Sequence, residues 1–140
     1  MSSLSPPSAI RLRSDARRVL VVDDDADCAE LVALILEGAG HQATIAHCAA
    51  DALRIVGALR PHLLISDVGL SGMNGFELVR ALRRDRGQAG CRYVALSGHR
   101  SPPPEEAGTF DEYLVKPVSF EDLQRVAEAT PVAFPNAERA

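Results

Sequence analysis

Five short runs of strand-forming residues alternate with four segments of helical period, and that alternation limits the chain to very few folds. The runs are VLVV (19–22), QATIAH (42–47), HLLIS (62–66), RYVALS (92–97) and YLV (113–115). Most are apolar with little interruption. A strand with one wet face alternates apolar and polar residues, whereas a continuous apolar run is buried on both faces. Between the runs, ADCAELVALILEGAG (26–40) carries Cys28, Leu31, Leu34, Ile35 and Gly38 at helical spacing, with Gly38 or Gly40 placed to end the helix. AADALRIVGALR (49–60) is a second helix, stopped by Pro61. NGFELVRALRRD (74–85) is a third, with Asn74 as N-cap and Glu77 three residues on, and SFEDLQRVAEA (119–129) is a last one opened by Ser119 and Asp122. Doubly buried strands joined by helices make a parallel sheet covered on both sides, an α/β doubly wound domain.

Ligands of such sheets bind beyond the carboxyl ends of the strands, where the strand order reverses. The residues waiting there are Asp23 to Asp25, Asp67, Ser97 and Lys116. Clustered acids are costly: at about 4 Å and a near-surface dielectric of roughly 20, each close pair repels by about 4 kcal/mol. They also raise one another's pKa. A hard divalent cation removes the problem, and Mg²⁺ takes one or two carboxylates, keeps waters and shares phosphoryl oxygens. Lys116 is the only lysine among fifteen basic residues, which marks a site suited to a compact ammonium. Ser97 adds a hydroxyl donor. Acids, lysine and hydroxyl around Asp67 are what phosphoryl transfer to its carboxylate needs, since cation and ammonium neutralise the phosphoryl oxygens and the nucleophile is already ionised.

In order along the chain, VLVVDDD, ISDVGLSGMNGFELV, YVALSG and EYLVKPV resemble the receiver domain of two-component response regulators, over roughly residues 18 to 129. The resemblance implies a (βα)₅ flavodoxin-like sheet of strand order 2-1-3-4-5. It implies that Asp67 is the phosphoacceptor, that Asp23 and Asp24 bind Mg²⁺ with Asp67 and the backbone carbonyl of Gly69, and that Lys116 binds phosphate. Ser97 matches the switch hydroxyl, Tyr113 the switch aromatic, and the Lys116–Pro117 bond is implied to be cis. Gly69 and His99 occupy positions that tune dephosphorylation in the family. Asp25 matches no ligand and reads as a solvated residue beginning the first helix. For Tyr113 and His99, a half-buried strand aromatic and a solvent-facing loop histidine are the competing readings.

Two departures stand out. Ser71-Gly72 replaces a proline common in the family, a change of loop stiffness only. Between Ser97 and the fifth strand, GHRSPPPEEAGTF (98–110) is short, and Pro102-Pro103-Pro104 cannot lie inside a helix. The fourth helix of the family is therefore expected to be one turn or missing, with a polyproline-like loop in its place. That puts in question the output face which many receivers build there.

The chain's 140 residues fit one domain able to bury a core. Residues 1–17 read as a disordered basic arm, 18–129 as the receiver and 130–140 as a flexible tail. With a net charge of −4 and no basic face on the folded part, nucleic-acid binding is not expected. No stretch is long enough for a membrane span, and three cysteines without metal spacing suit a reduced compartment, so a cytoplasmic protein is expected. His41, His47 and His62 read as surface or boundary residues, and Arg80, Arg83, Arg84 and Arg86 as the solvated face of the third helix.

The expected function is a stand-alone phosphoacceptor switch, not an enzyme acting on other substrates. It would be served by a sensor histidine kinase or a histidine phosphotransfer protein and would act by docking to a partner. Two alternatives stay open: a receiver-like scaffold that works without phosphorylation, and a haloacid-dehalogenase-like phosphatase using Asp23-x-Asp25.

Overall fold

The computed structural model describes residues 15–85, 88, 90–99 and 101–132. Five parallel strands, β1 (Arg18–Val22), β2 (Gln42–Ala46), β3 (Leu63–Asp67), β4 (Arg92–Ser97) and β5 (Glu112–Val115), lie in the order β2-β1-β3-β4-β5. Four helices cover the sheet. On one face α1 (Ala26–Gly38) and α4 (Phe120–Ala129) pack on Val19, Val21, Leu63, Ile65, Val94 and Leu96. On the other, α2 (Ala49–Leu59) and α3 (Gly75–Arg83) pack on Leu20, Val22, Leu64, Tyr93 and Ala95. Neighbouring residues of each strand thus enter opposite cores, the period of two that a doubly covered sheet requires. The expected strand order is the order found.

Helix α1 is rotated from the spacing read in the sequence. Its buried residues are Ala29, Val32, Ala33 and Leu36, while Leu31 and Leu34 remain 54% and 65% exposed. In so apolar a segment several stripes satisfy the helical period. The stripe that packs uses the small Ala29 and Ala33 where the helix approaches the sheet. The helix closes at Ala39, and Gly40 takes the left-handed φ of +96° that follows.

Between β4 and β5 the fourth family helix is reduced to one 3₁₀ turn, Pro104–Glu106, preceded by Pro103 in polyproline geometry at φ −56° and ψ 150°. Helix α3 holds this segment through Arg80 and Arg83, which lie on its exposed face as the sequence reading expects. Arg80 pairs with Glu106. Arg83 donates to the Thr109 carbonyl at 2.8 Å and to Asp111 at 3.2 Å, and its guanidinium lies 4.8 Å from the centre of the Tyr93 ring. Arg84 is exposed, and Arg86 lies outside the described residues. Exposed ion pairs contribute little, but the carbonyl contact and the ring contact add to the pair. Arg83→Ala is therefore expected to cost about 1–2 kcal/mol in urea unfolding, with Arg83→Lys recovering only part of it.

Two of the histidines read as surface or boundary residues are buried. His41 Nδ1 accepts the Arg17 amide at 3.1 Å, and His62 Nδ1 accepts the Arg18 amide at 2.9 Å. Burial, joined by the Arg18 charge, lowers the His62 pKa. Arg17 itself belongs to the folded body rather than to an arm: it donates to the Thr130 carbonyl at 2.8 Å and to the Glu128 carbonyl at 2.9 Å. Thr130, read as the start of a tail, is fully buried. Arg18 likewise donates to the Leu59 and Arg60 carbonyls at the end of α2. Each guanidinium meets the negative end of a helix, where a cation is favoured.

Candidate functional site

Each polar strand end of the sequence is carried to the same edge of the sheet by the parallel register. Asp23 follows β1, Asp67 ends β3 opposite Leu96, Ser97 ends β4, and Lys116 follows β5 with its amide donating to the Ser97 carbonyl at 2.7 Å. One carboxylate oxygen from each of Asp23, Asp24 and Asp67 lies within 4.8 Å of the others. Lys116 Nζ sits between two of these acids, 3.4 Å from Asp23 Oδ2 and 3.4 Å from Asp67 Oδ1.

Burial grades the three acids. Asp23 is fully buried, Asp67 half-buried and Asp24 exposed. Asp23 Oδ1 also accepts the Asp25 amide at 3.0 Å, and Asp67 Oδ1 accepts the Gly69 amide at 3.3 Å. Asp24 Oδ2 instead accepts from Ser71, at 3.4 Å from its amide and 3.2 Å from its hydroxyl. Burial alone would lower the Lys116 pKa, but the charges of Asp23 and Asp67 outweigh it and hold the ammonium above its ordinary value. Three carboxylates against one ammonium leave the pocket short of two positive charges. An all-oxygen donor set with that deficit fits a hard divalent cation, and Mg²⁺ in particular.

Asp25 stands outside the cluster. Its side chain caps α1 by accepting the Asp27 and Cys28 amides, a role for which an acidic residue at a helix start is well suited. That removes it from the pair a haloacid-dehalogenase-like site would need. Burial and a hydrogen bond to Asp23 push the Cys28 thiol up to about 11.

Gly75, which the sequence reading passed over, sets the position of the Asp67 backbone. A Cβ at Gly75 would lie 2.6 Å from the Asp67 carbonyl oxygen and 2.9 Å from Val68 Cα. The first turn of α3 therefore packs directly on the peptide that carries the central acid. Its only trace in the sequence is a glycine just after the N-cap, where any small residue would fit a helix start. Ser71, read in the sequence as a change of loop stiffness only, instead donates to Asp24, a contact that spans 47 residues and left no local signal.

Ser97 is buried and its Oγ accepts the His99 amide at 3.0 Å. Tyr113 is half-buried against Phe76 and Phe110, at ring separations of 6.3 Å each. Burial raises its phenol pKa, with Ser97 acting in the opposite direction. Ser97, His99, Tyr113, Val68 and Pro102 line an open groove of about 450 Å³ beside the cluster. His99 is exposed, and His47, also exposed, lies with Nδ1 3.3 Å from the Asp23 carbonyl. The Lys116–Pro117 peptide is cis. Among the described residues no helix is long and apolar enough to cross a membrane.

Comparison with known proteins follows the same outline. The family model described as the response regulator receiver domain matches residues 19–128. An uncharacterized 14.6 kDa protein of Leptolyngbya boryana is 35% identical over 120 residues, 84% of this chain and 92% of that one. The DNA-binding response regulator MtrA of Mycolicibacterium paratuberculosis is 36% identical over 110 residues, 76% of this chain and 48% of that one. The chain thus spans about half the length of that DNA-binding relative. Among solved structures, the chemotaxis response regulator CheY4 of Vibrio cholerae superposes with a TM-score of 0.74 at 28% identity, over 84% of this chain and 99% of that one.

Proposed function

This chain belongs to the response regulator receiver family, and from that premise we propose that it is a two-component switch whose phosphoacceptor is Asp67. Receiver domains are signalling proteins phosphorylated by histidine kinases, and the family binds Mg²⁺ in its acidic pocket. The observation that carries the reading is Lys116 Nζ held 3.4 Å from both Asp23 and Asp67 beside the third acid.

The chemistry is a displacement at phosphorus. An Asp67 carboxylate oxygen attacks, the bond from phosphorus to the donor nitrogen or oxygen breaks with its electron pair leaving on the donor, and an acyl phosphate forms. Lys116 neutralises charge on the phosphoryl oxygens, and the Ser97 hydroxyl donates to one of them. Asp23, Asp24, Asp67 and the Gly69 carbonyl would hold Mg²⁺, which when bound supplies the two missing positive charges. The signal leaves through Ser97 and Tyr113, whose side chains border the groove next to the cluster. Gly69 and His99 stand two residues after Asp67 and Ser97 respectively, the positions proposed to tune loss of the phosphoryl group. No other substrate is turned over.

Docking to a protein partner is the output we propose, with a sensor histidine kinase or a histidine phosphotransfer protein as phosphodonor. In support, Arg17, Arg18, Arg80, Arg83, Arg92 and Arg125 are all committed to carbonyls or carboxylates of the same chain. Among the described residues, that leaves little of the basic surface a duplex would need.

The test is intact mass after incubation with acetyl phosphate. One phosphoryl group is expected with millimolar Mg²⁺ and none with a chelator in its place. An adduct that forms equally well without Mg²⁺ would sink the metal site, and no adduct under any condition would favour a phosphorylation-independent scaffold.

A further inference from the structure

The geometry points to Ser71 as a positioning residue that holds Asp24 in place to receive the divalent cation. This inference rests on the metal site proposed above and adds to it a residue that the family pattern, with proline common at this position, would not supply.

The three acids are not held alike. Asp23 and Asp67 are each anchored by Lys116 and by a backbone amide of their own turn, from Asp25 and Gly69 respectively. Asp24 is exposed and makes no contact with Lys116 in the described structure. Both of its hydrogen bonds among the described residues come from Ser71, and both end on Oδ2. An exposed aspartate without such a partner is free to sample several rotamers.

Two donors on one oxygen fix the carboxylate plane and leave the other oxygen to serve as ligand. Outer partners of this kind are what orient metal-binding carboxylates, and losing one typically costs 10- to 100-fold in metal affinity. The contact also ties the turn after β1, which carries Asp23 and Asp24, to the turn that follows Asp67. A proline at 71 would have neither the amide hydrogen nor the hydroxyl.

The experiment is calorimetric titration of Mg²⁺ into the full chain and its variants. Ser71→Ala keeps the backbone amide and loses the hydroxyl, so its Kd for Mg²⁺ is expected to rise about tenfold. Ser71→Thr retains a hydroxyl on Cβ and is expected to restore parent affinity. Melting in chelator should be unchanged for both, which separates positioning from stability. In an Asp24→Asn background, Ser71→Ala should have no further effect. Equal or tighter Mg²⁺ binding by Ser71→Ala, or an effect that survives in the Asp24→Asn background, would overturn the role of Ser71 while leaving the metal site intact. A parent chain that takes up no Mg²⁺ at millimolar concentration would overturn the metal site, and this inference with it.

Discussion

Asp67→Asn is expected to take up no phosphoryl group from acetyl phosphate and Mg²⁺, with a rate at least about 10³-fold below the parent, equivalent to about 4 kcal/mol of barrier. The substitution keeps the shape of the side chain and removes its negative charge. An amide oxygen shares its electrons with nitrogen and is a poor nucleophile towards phosphorus, whereas the carboxylate attacks as the anion it already is. The variant also tests whether Asp67 is held in place for chemistry or for stability. Its removal takes from Lys116 one of two partners at 3.4 Å, a partly buried ion pair with 29% of the lysine and 15% of the aspartate side chain exposed, while the pair to Asp23 remains. Against that loss, one member of a mutually repelling trio disappears. Thermal melting in chelator should therefore show Asp67→Asn no less stable than the parent. A clear fall in melting temperature would instead mark Asp67 as a structural acid, and an adduct that persists would move the phosphoacceptor elsewhere.

The second large effect is on folding. Gly75→Ala should lower stability by about 3 kcal/mol or more, the upper part of the range for overpacking, because the new methyl meets backbone that cannot rotate aside. For a domain of this size that corresponds to roughly 10 °C in melting temperature. Gly57→Ala makes the control. Gly57 lies inside α2 with nothing within 4 Å of a built Cβ, so the same methyl should stabilise by about 0.5–1 kcal/mol through helix propensity. Opposite signs for one chemical change would assign the Gly75 effect to contact with the Asp67 and Val68 backbone. Equal signs would remove that assignment.

How much was legible beforehand follows from the range of each interaction. The strand ends were legible because a parallel sheet puts all its carboxyl ends on one edge, so Asp23, Asp67, Ser97 and Lys116 could be grouped before any coordinates. Pro102 to Pro104 forbade a helix, and a single 3₁₀ turn stands there. The α1 stripe was ambiguous because its composition satisfies more than one helical phase. His41 and His62 looked like boundary polar residues, and they are bonded to the Arg17 and Arg18 amides more than twenty residues earlier in the chain. Arg80 and Arg83 are exposed as expected, but their partners, Glu106, Thr109 and Asp111, lie 26 to 28 residues away and left no local signal. Local pattern gave the scaffold, and long-range polar contacts were the part it could not carry.

The bonds from Arg17 to the Glu128 and Thr130 carbonyls bring the entry and exit of the folded body side by side. Both lie at the amino-end pole of the sheet, a strand of five residues, roughly 17 Å, from the pole that carries Asp67. Whatever precedes residue 15 or follows residue 132 is tethered on the far side from the acids. A fluorescent or affinity label attached at residue 15 or residue 132 would therefore start from the distal pole.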